Sequence, residues 1–409
     1  VNLSGGPKTT IQEAFAMFNF EYYAPTRVIF GRDAEQRTGA LLRELGVSRV
    51  LIHYGGGSAV KSGLLERVSA SLDGAGIAHT SLGGVVPNPR VSKVREGAQL
   101  ARQFGAELIL AVGGGSVIDS SKAIGYAVAE PEHDVWEIYD RKRAPKACLP
   151  VACVLTIAAA GSEMSNSSVI TNEDTGEKRG YRSDLCRPKL AIMNPELTAT
   201  LPPYQTAAGC TDILMHTLER YFTQGGNMEL TDQIAGGLMR TVMKNALILR
   251  DDPANYDARA EVMWASSLSH NDLTGLGADG MDFASHGLEH ELGGMFDVTH
   301  GAGLSAVWPS WARYVYRDCL PRFVKFARDV MGVEPGASDE ETALQGIAAL
   351  EDFFRSIHMP VTLRELGVEP TEEQILAMAA SFAGSAGGKK GTAKELYEAD
   401  MAAIYRMAL

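Results

Sequence analysis

Cysteine is scarce in this chain: five residues in 409, at Cys148, Cys153, Cys186, Cys210 and Cys319, with no C-x-x-C pair among them. That odd, scattered set excludes a disulfide framework and a thiolate metal site, and a reducing cytoplasm is the expected setting. Positive charge is also in short supply. Lys and Arg number 38 against 50 Asp and Glu, a net charge of −12, so no basic field draws nucleic acid or an anionic membrane from a distance. Any phosphate bound here has to be held locally. Long hydrophobic runs are missing too. The longest mainly apolar stretch, 147–160, is interrupted by Pro150 and Thr156; it falls short of the ~18 residues of a membrane span and reads as a buried strand and turn. Residues 1–16 lack the basic start, apolar stretch and cleavage site of a secretory signal, so no export is expected and they read as an extension, native or appended. Internal repeats, heptad runs and low-complexity tails are absent.

Histidine, by contrast, is concentrated. Five of the nine histidines (His216, His270, His286, His290 and His300) fall in one stretch, whereas the first half carries only His53, His79 and His133. Asp212 and His216 stand four residues apart, as do His286 and His290, and His300 follows in a Gly-rich turn. An i,i+4 spacing puts two side chains on one helix face, a turn apart, where both reach one point. Imidazoles with one carboxylate suit a borderline divalent metal such as Zn²⁺ or Fe²⁺. Two other readings compete. A lone buried histidine is ordinarily a hydrogen-bonded core residue, the expectation for His270 and His358. His286-Gly-Leu-Glu289-His290 also matches the H-x-x-E-H pattern of inverted zinc proteases, in which both histidines bind zinc and the Glu activates water.

With 45% hydrophobic residues the chain can bury a large core and is expected to form two domains. Phe18-Asn-Phe-Glu-Tyr-Tyr23, then Pro25-Thr-Arg-Val-Ile-Phe-Gly31, reads as a strand-like start. Arg49 to Tyr54 is a short apolar run ending in Gly55-Gly-Gly-Ser58, after which Leu64, Leu65, Val68 and Leu72 mark a helix face. Glu107 to Val112 meets Gly113-Gly-Gly-Ser116, and Val117, Ile118 and 123–127 continue as a helix. From about Thr198 long helical stretches replace the strands. The expected fold is therefore an α/β domain with a parallel sheet over 17–195, followed by an all-helical domain over 196–409, with the boundary near Asn194-Pro195.

A strand that ends in Gly-Gly-Gly-Ser before a helix exposes backbone N–H groups at the positive end of a helix dipole, and glycine lets a pyrophosphate approach closely. Neither turn is the strict G-x-G-x-x-G fingerprint, so each alone is equally a tight turn; two in successive units point to a dinucleotide. Strands that bind NAD commonly end in an acid for the ribose 2′-hydroxyl. Here the strand ends His53-Tyr54 with Ser58 and glycine N–H groups following, which favours NADP(H) over NAD. Leu155-Thr156-Ile157, running on to Gly161-Ser-Glu163, supplies a hydroxyl-bearing loop, with Thr156 placed to line the nicotinamide side.

Taken together, Pro25 to Gly31, Tyr54 to Ser58, Pro87-Asn-Pro-Arg90, Gly113-Gly-Gly-Ser-Val-Ile-Asp119, Gly161-Ser-Glu163, Asp212-x-x-x-His216, His286-x-x-x-His290-Glu291 and Asp297-Val-Thr-His-Gly-Ala-Gly303 resemble the metal-dependent, or iron-containing, alcohol dehydrogenases, in the branch of NADPH-linked butanol dehydrogenases and aldehyde reductases. The resemblance runs from about Phe18 to the C-terminal helices. It implies that Asp212, His216, His286 and His300 bind one divalent metal, Fe²⁺ or Zn²⁺, while His290 lies in the active site without being a ligand, which overturns the protease reading. It further implies that Gly56, Gly57 and Ser58 face the adenosine 2′-phosphate, that Gly113, Gly114, Gly115, Ser116 and Asp119 form the pyrophosphate loop, that Asn88 belongs to the cofactor site, and that Lys178 lies near the nicotinamide ribose. Two departures stand out: Ala160 where the family usually has Thr, and Asn194 where it has Asp. The implied activity is reversible hydride transfer between NADP(H) and a small primary alcohol or aldehyde, in a homodimer, with His290 as a candidate for proton exchange. A dehydroquinate-synthase-like lyase and an NAD-linked polyol dehydrogenase are the alternatives.

Overall fold

The structure, a computed structural model, describes residues 17–224 and 226–409; the extension expected over 1–16 lies outside the described residues. In chain order the elements are β1 (Arg27–Phe30), α1 (Thr38–Glu44), β2 (Arg49–Tyr54), α2 (Ser58–Lys61), α3 (Leu64–Gly74), β3 (Ala78–Leu82), α4 (Val91–Phe104), β4 (Leu108–Gly113), α5 (Gly115–Ala129), α6 (Trp136–Tyr139), β5 (Val151–Leu155), β6 (Ser167–Asn172), β7 (Glu177–Arg182) and β8 (Leu190–Met193). Helices follow: α7 (Pro203–Tyr221), α8 (Glu229–Asp251), α9 (Tyr256–Ser269), α10 (Ala284–Phe296), α11 (His300–Val315), α12 (Leu320–Lys325), α13 (Asp339–Ser356), α14 (Leu363–Leu366), α15 (Glu372–Ser385) and α16 (Glu398–Met407).

Six strands form one parallel sheet in the order β1-β8-β5-β4-β2-β3, and β6 pairs with β7 as an antiparallel ribbon. Side chains alternate faces along a strand, and the burial follows that rule. Val50 and Ile52 of β2 pack with Leu41, Leu42, Val68 and Leu72 of α1 and α3, whereas Leu51 between them packs with Val94, Ala98 and Ile124 of α4 and α5. Covering both faces explains why these strands read as continuous apolar runs. The register places Tyr54 opposite Val112 and Gly113 opposite Leu155, so the two Gly-rich turns leave the same edge of the sheet side by side.

Two expectations need correction. No strand forms over 18–23: the Phe18 N–H donates to the Gly277 carbonyl at 3.2 Å, and the Tyr22 hydroxyl accepts from Asn271 at 3.2 Å. The aromatic alternation supplies β propensity, but the segment lies against the helical half instead of a sheet neighbour, and the sheet begins only after Pro25. The first Gly-rich turn, moreover, does not feed a long helix. It leads into the four-residue α2, which ends at Gly63 with φ +68° before α3 begins; the helix-dipole argument therefore applies to the second turn alone. All five cysteines are free, and no helix among the described residues is long and apolar enough to cross a membrane.

Candidate active site

A cavity of about 900 Å³ lies between the carboxyl ends of the sheet strands and helices α7, α10 and α11. Its floor on the sheet side is the second Gly-rich turn. Gly114 is extended and caps α5, fifteen residues long, so the first N–H groups of that helix have no carbonyl partner within it and point their dipole at the cavity. Glycine is required there by space: a Cβ on Gly113 would come within 2.4 Å of Val117, and one on Gly114 within 2.9 Å of Ile157. Gly113, Gly114, Gly115, Ser116, Thr156, Gly56 and Ser58 all line the cavity, an open cradle able to take a pyrophosphate. Gly57 does not line it; it faces Lys61, whose side chain a Cβ would meet at 3.3 Å.

Asp119 and Asn88 also line the cavity, but their polar groups are committed elsewhere. Asp119 accepts from the Ser162 hydroxyl at 2.5 Å and the Val169 N–H at 2.9 Å, and burial pushes its carboxyl up. Beside it the wholly buried Lys122 ammonium donates to the carbonyls of Ser162, Ser165 and Ser167 at 2.8, 3.1 and 2.7 Å. This pair shapes the 162–169 segment that walls the cleft. Asn88 donates to Asp297 across the cavity mouth. Lys178 pairs at 3.3 Å with the buried Glu289.

The opposite wall holds the histidine cluster. α7 presents Asp212, His216 and Glu219 on one face, α10 presents His286, Glu289 and His290, and α11 opens with His300. Around Asp212 Oδ1 lie His216 Nδ1 at 3.0 Å, His286 Nε2 at 3.6 Å and His300 Nε2 at 3.7 Å. Each imidazole is tethered through Nδ1: His216 to the Asp212 carbonyl at 3.0 Å, His286 to Glu219, and His300 to Glu289. A carbonyl or carboxylate on Nδ1 fixes that proton and leaves the Nε2 lone pair free. Asp212 Oδ1 and His286 Nε2 are buried without a hydrogen-bond partner, a costly arrangement unless something binds between them. The Nε2 lone pairs of His286 and His300 and the Asp212 carboxylate, with the His216 ring grouped beside them, fit a divalent ion. The electrostatics agree: burial opposes the Asp212 charge, yet His216 and His300 hold the carboxyl well below its usual range. Burial holds His216 down at about 4, keeping it neutral as a ligand must be. For His286 burial is outweighed by Glu219, which holds the ring up at about 9; a bound cation would displace that proton.

His290 lines the same cavity but sits outside the group around Asp212, its ring 5.8 Å from His300. Burial and Lys178 push it well below its ordinary value, so it stays neutral. Glu289 meets His300 and Lys178 through Oε2, while its Oε1 is buried without a hydrogen-bond partner. His270 is no core filler: it lines the cavity and stacks on His216 with ring centroids 4.0 Å apart. His358 is exposed, with φ +61°. Sequence reading missed Glu219, although it continues the 212/216 face at the next turn, and Lys122.

Comparison with known proteins gives the family of the chain. A family model for iron-containing alcohol dehydrogenase matches residues 25–195, and one for the C-terminal part of the Fe-containing alcohol dehydrogenase family matches 206–409. The chain belongs to the iron-containing alcohol dehydrogenase family. It is 38% identical to NADH-dependent butanol dehydrogenase A of Clostridium acetobutylicum, over 95% of this chain and 99% of that one. It is 36% identical to the NADPH-dependent aldehyde reductase YqhD of Escherichia coli, over 86% and 90%. The crystal structure of NADH-dependent butanol dehydrogenase A from Thermotoga maritima superposes with a TM-score of 0.92 at 37% identity, covering 96% of this chain and 99% of that one. As a member of this family of oxidoreductases the chain uses a nicotinamide cofactor and a metal.

Proposed function

We propose that the chain interconverts primary alcohols and aldehydes, using NADP(H) in the Gly113–Ser116 cradle and one divalent ion, Fe²⁺ or Zn²⁺, held by Asp212, His216, His286 and His300. The observation that carries the reading is the convergence of three tethered imidazoles on Asp212 Oδ1, in the cavity that the cradle also lines. When bound, the metal supplies Lewis acidity at the reacting oxygen and the nicotinamide supplies or accepts hydride. The chain's own residues do the rest. Glu219 and Glu289 orient His286 and His300; Asp119 and Lys122 hold the 162–169 wall; Met281, Phe283 and Phe382 shut out water on the substrate side. His290, neutral and in the cavity, is a candidate to pass a proton between the product oxygen and solvent.

The preference for the 2′-phosphorylated cofactor draws support from charge. The acids lining the cavity are Asp119, Asp212 and Glu291, none of them in the Tyr54–Ser58 turn where the adenosine ribose would lie. Relatives divide on this point, NADH-dependent in Clostridium and NADPH-dependent in Escherichia coli by name. The substrate is proposed to be a small aldehyde or alcohol, and the family match supports redox turnover over a lyase. A two-domain division at Asn194-Pro195 is part of the reading, as is a homodimer, for which the sheet edge at β1 and the exposed Phe20 and Tyr23 speak. The test is steady-state reduction of butanal with NADPH and with NADH, on protein of measured metal content and with its mass determined in solution. Stoichiometric NADPH consumption supports the proposal; butanal-independent turnover, or none in metal-loaded protein, overturns it.

A further inference from the structure

Beside the Asp212 group stands a second set of metal donors that the reading above leaves unused. Glu289 and His290 of α10 and His300 of α11 each bring one ligand atom within 4.8 Å of the others, the same span that holds Asp212, His216 and His286 together. Glu289 is wholly buried, yet its carboxylate is unevenly used. Oε2 meets His300 Nδ1 and, at 3.3 Å, Lys178 Nζ, whereas Oε1 has no hydrogen-bond partner. Buried polar atoms are nearly always partnered, so an orphaned carboxylate oxygen calls for an occupant. Glycines keep the space around it open: a Cβ on Gly293 or on Gly303 would come within 3.2 Å of Oε1. Burial opposes the charge of Glu289, but His300 and Lys178 hold its carboxyl down at about 2. Burial and Lys178 keep His290 neutral. A carboxylate and a neutral imidazole are the states in which these residues bind a metal. Positive charge already rests here as the Lys178 ammonium, and His290, His300 and Lys178 all open on the cavity.

We propose that Glu289, His290 and His300 form a second seat for a divalent ion such as Zn²⁺, filled only in excess of the first ion and inhibitory when filled. The seat shares His300 with the ion proposed at Asp212, so it rests on that reading. His300 has one ring nitrogen for each side: Nε2 lies 3.7 Å from Asp212 Oδ1, and Nδ1 meets Glu289. An ion on the Nδ1 side replaces the proton there, which leaves to solvent, and the ring then bridges two ions. Three donors bind less tightly than four, and the Lys178 ammonium repels the newcomer. The second ion is therefore held more weakly than the first. Its arrival takes His290 out of proton exchange and drives Lys178 off Glu289, which is how an excess of metal stops turnover.

The test is dialysis of zinc-loaded, nucleotide-free protein against chelator-buffered zinc, with metal content measured at each step. The wild type is expected to take up a second equivalent saturably, and its reduction of butanal to fall in step. His290→Ala is expected to keep the first equivalent and to weaken the second by at least about tenfold, since losing a ligand costs no less than losing a partner that orients one. Lys178→Met is expected to tighten the second by at least about tenfold through loss of the competing ammonium. A general loosening of the fold does not produce opposite shifts from two neighbouring substitutions. Exposed pairs are the alternative hosts: His79 with Asp73 at 3.1 Å and His133 with Glu137 at 3.7 Å. A second equivalent unmoved by His290→Ala sits elsewhere and overturns the proposal. So does a wild type that stops at one equivalent up to about 1 mM free zinc, or a second equivalent that leaves turnover unchanged. Protein that cannot be loaded with even one equivalent refutes the Asp212 site, and the second seat with it.

Discussion

Asn88 Nδ2 donates to Asp297 Oδ1 at 2.8 Å, joining the loop after β3 to the C-terminal end of α10 across the mouth of the cleft. Both residues hold left-handed backbone, φ +54° and +51°, a region that Asn and Asp tolerate better than other L-residues. Arg90 adds a longer contact to the same carboxylate at 3.4 Å. Asn88→Ala is expected to cost about 2 kcal/mol, roughly half from the lost hydrogen bond and half from the backbone. Asn88→Gly, which relieves the backbone part, is expected to cost about 1 kcal/mol. Denaturant unfolding of the two variants checks the split; equal losses would place the whole effect in the hydrogen bond.

Glu219 grips His286 twice, through its backbone N–H at 3.0 Å and through Nδ1. Glu219→Gln keeps the shape but removes the charge that orients the ring, and is expected to weaken metal binding by about 10- to 100-fold. His300→Ala and Asp212→Ala are expected to lose the metal while nucleotide binding persists, because these side chains stand on the wall opposite the cradle. His290→Ala is expected to retain it. Elemental analysis after dialysis against graded chelator orders the four; a His290→Ala protein as metal-poor as His300→Ala would put His290 among the ligands.

Much of this was legible in the chain, for physical reasons. The i,i+4 pairs at 212/216 and 286/290 mark helix faces, and strand-to-helix turns such as Gly113–Ser116 mark themselves by composition. What the sequence could not show was the direction of individual side chains. Asp119 follows the cradle in sequence, yet one turn into α5 it points to Ser162 and Val169. Asn88 sits in a recognisable Pro-Asn-Pro and spends its amide on Asp297, 209 residues away. Phe18 to Tyr23 alternates like a strand, but pairing is a property of the neighbour as much as of the segment. His270 gained its place only because α9 ends against α7 and the Ala160 loop.

Gly56 is the place to test cofactor choice, since Gly57 faces Lys61 and not the cavity. A Cβ on Gly56 meets nothing within 4 Å, so Gly56→Asp is tolerated sterically and puts a carboxylate where the 2′-phosphate would lie. Wild type is expected to favour NADPH over NADH by at least about tenfold in kcat/KM, a difference of ~1.4 kcal/mol. Gly56→Asp is expected to abolish or reverse it through repulsion and a new acceptor for the ribose hydroxyls. Equal use of both cofactors by the wild type would sink the charge argument.

Asn194 explains one of the two departures from the family pattern. Buried, it donates through Nδ2 to Glu35 Oε2 at 3.0 Å and accepts the Glu196 N–H at 3.1 Å. It does not line the cavity. Asn194→Asp would set two carboxylates against each other out of water, at a cost of about 2 kcal/mol near neutral pH. The double variant with Glu35→Gln is expected to recover most of it, as denaturation midpoints would show; an Asn194→Asp variant as stable as the wild type would mean the pair shares a proton or a counter-ion.

His53 gives a pH signature clear of the metal cluster. Buried in β2 between the Leu82 carbonyl (3.0 Å from Nδ1) and the Ser120 hydroxyl (2.9 Å from Nε2), it is pushed down by burial to about 4 from an ordinary 6.5. The unfolded chain therefore takes up a proton at a higher pH than the folded one. Stability from this group is fully present above pH 6.5 and is lost as pH falls toward 4. Between pH 7 and pH 5 the loss comes to about 2 kcal/mol, since each unit of difference is worth ~1.4 kcal/mol. His53→Gln cannot take up that proton. Its unfolding free energy, measured in denaturant from pH 7 to 5, is expected to fall less steeply than that of the wild type by about that amount. Parallel curves for the two proteins would mean that His53 is reached by water or by a counter-charge in the folded state.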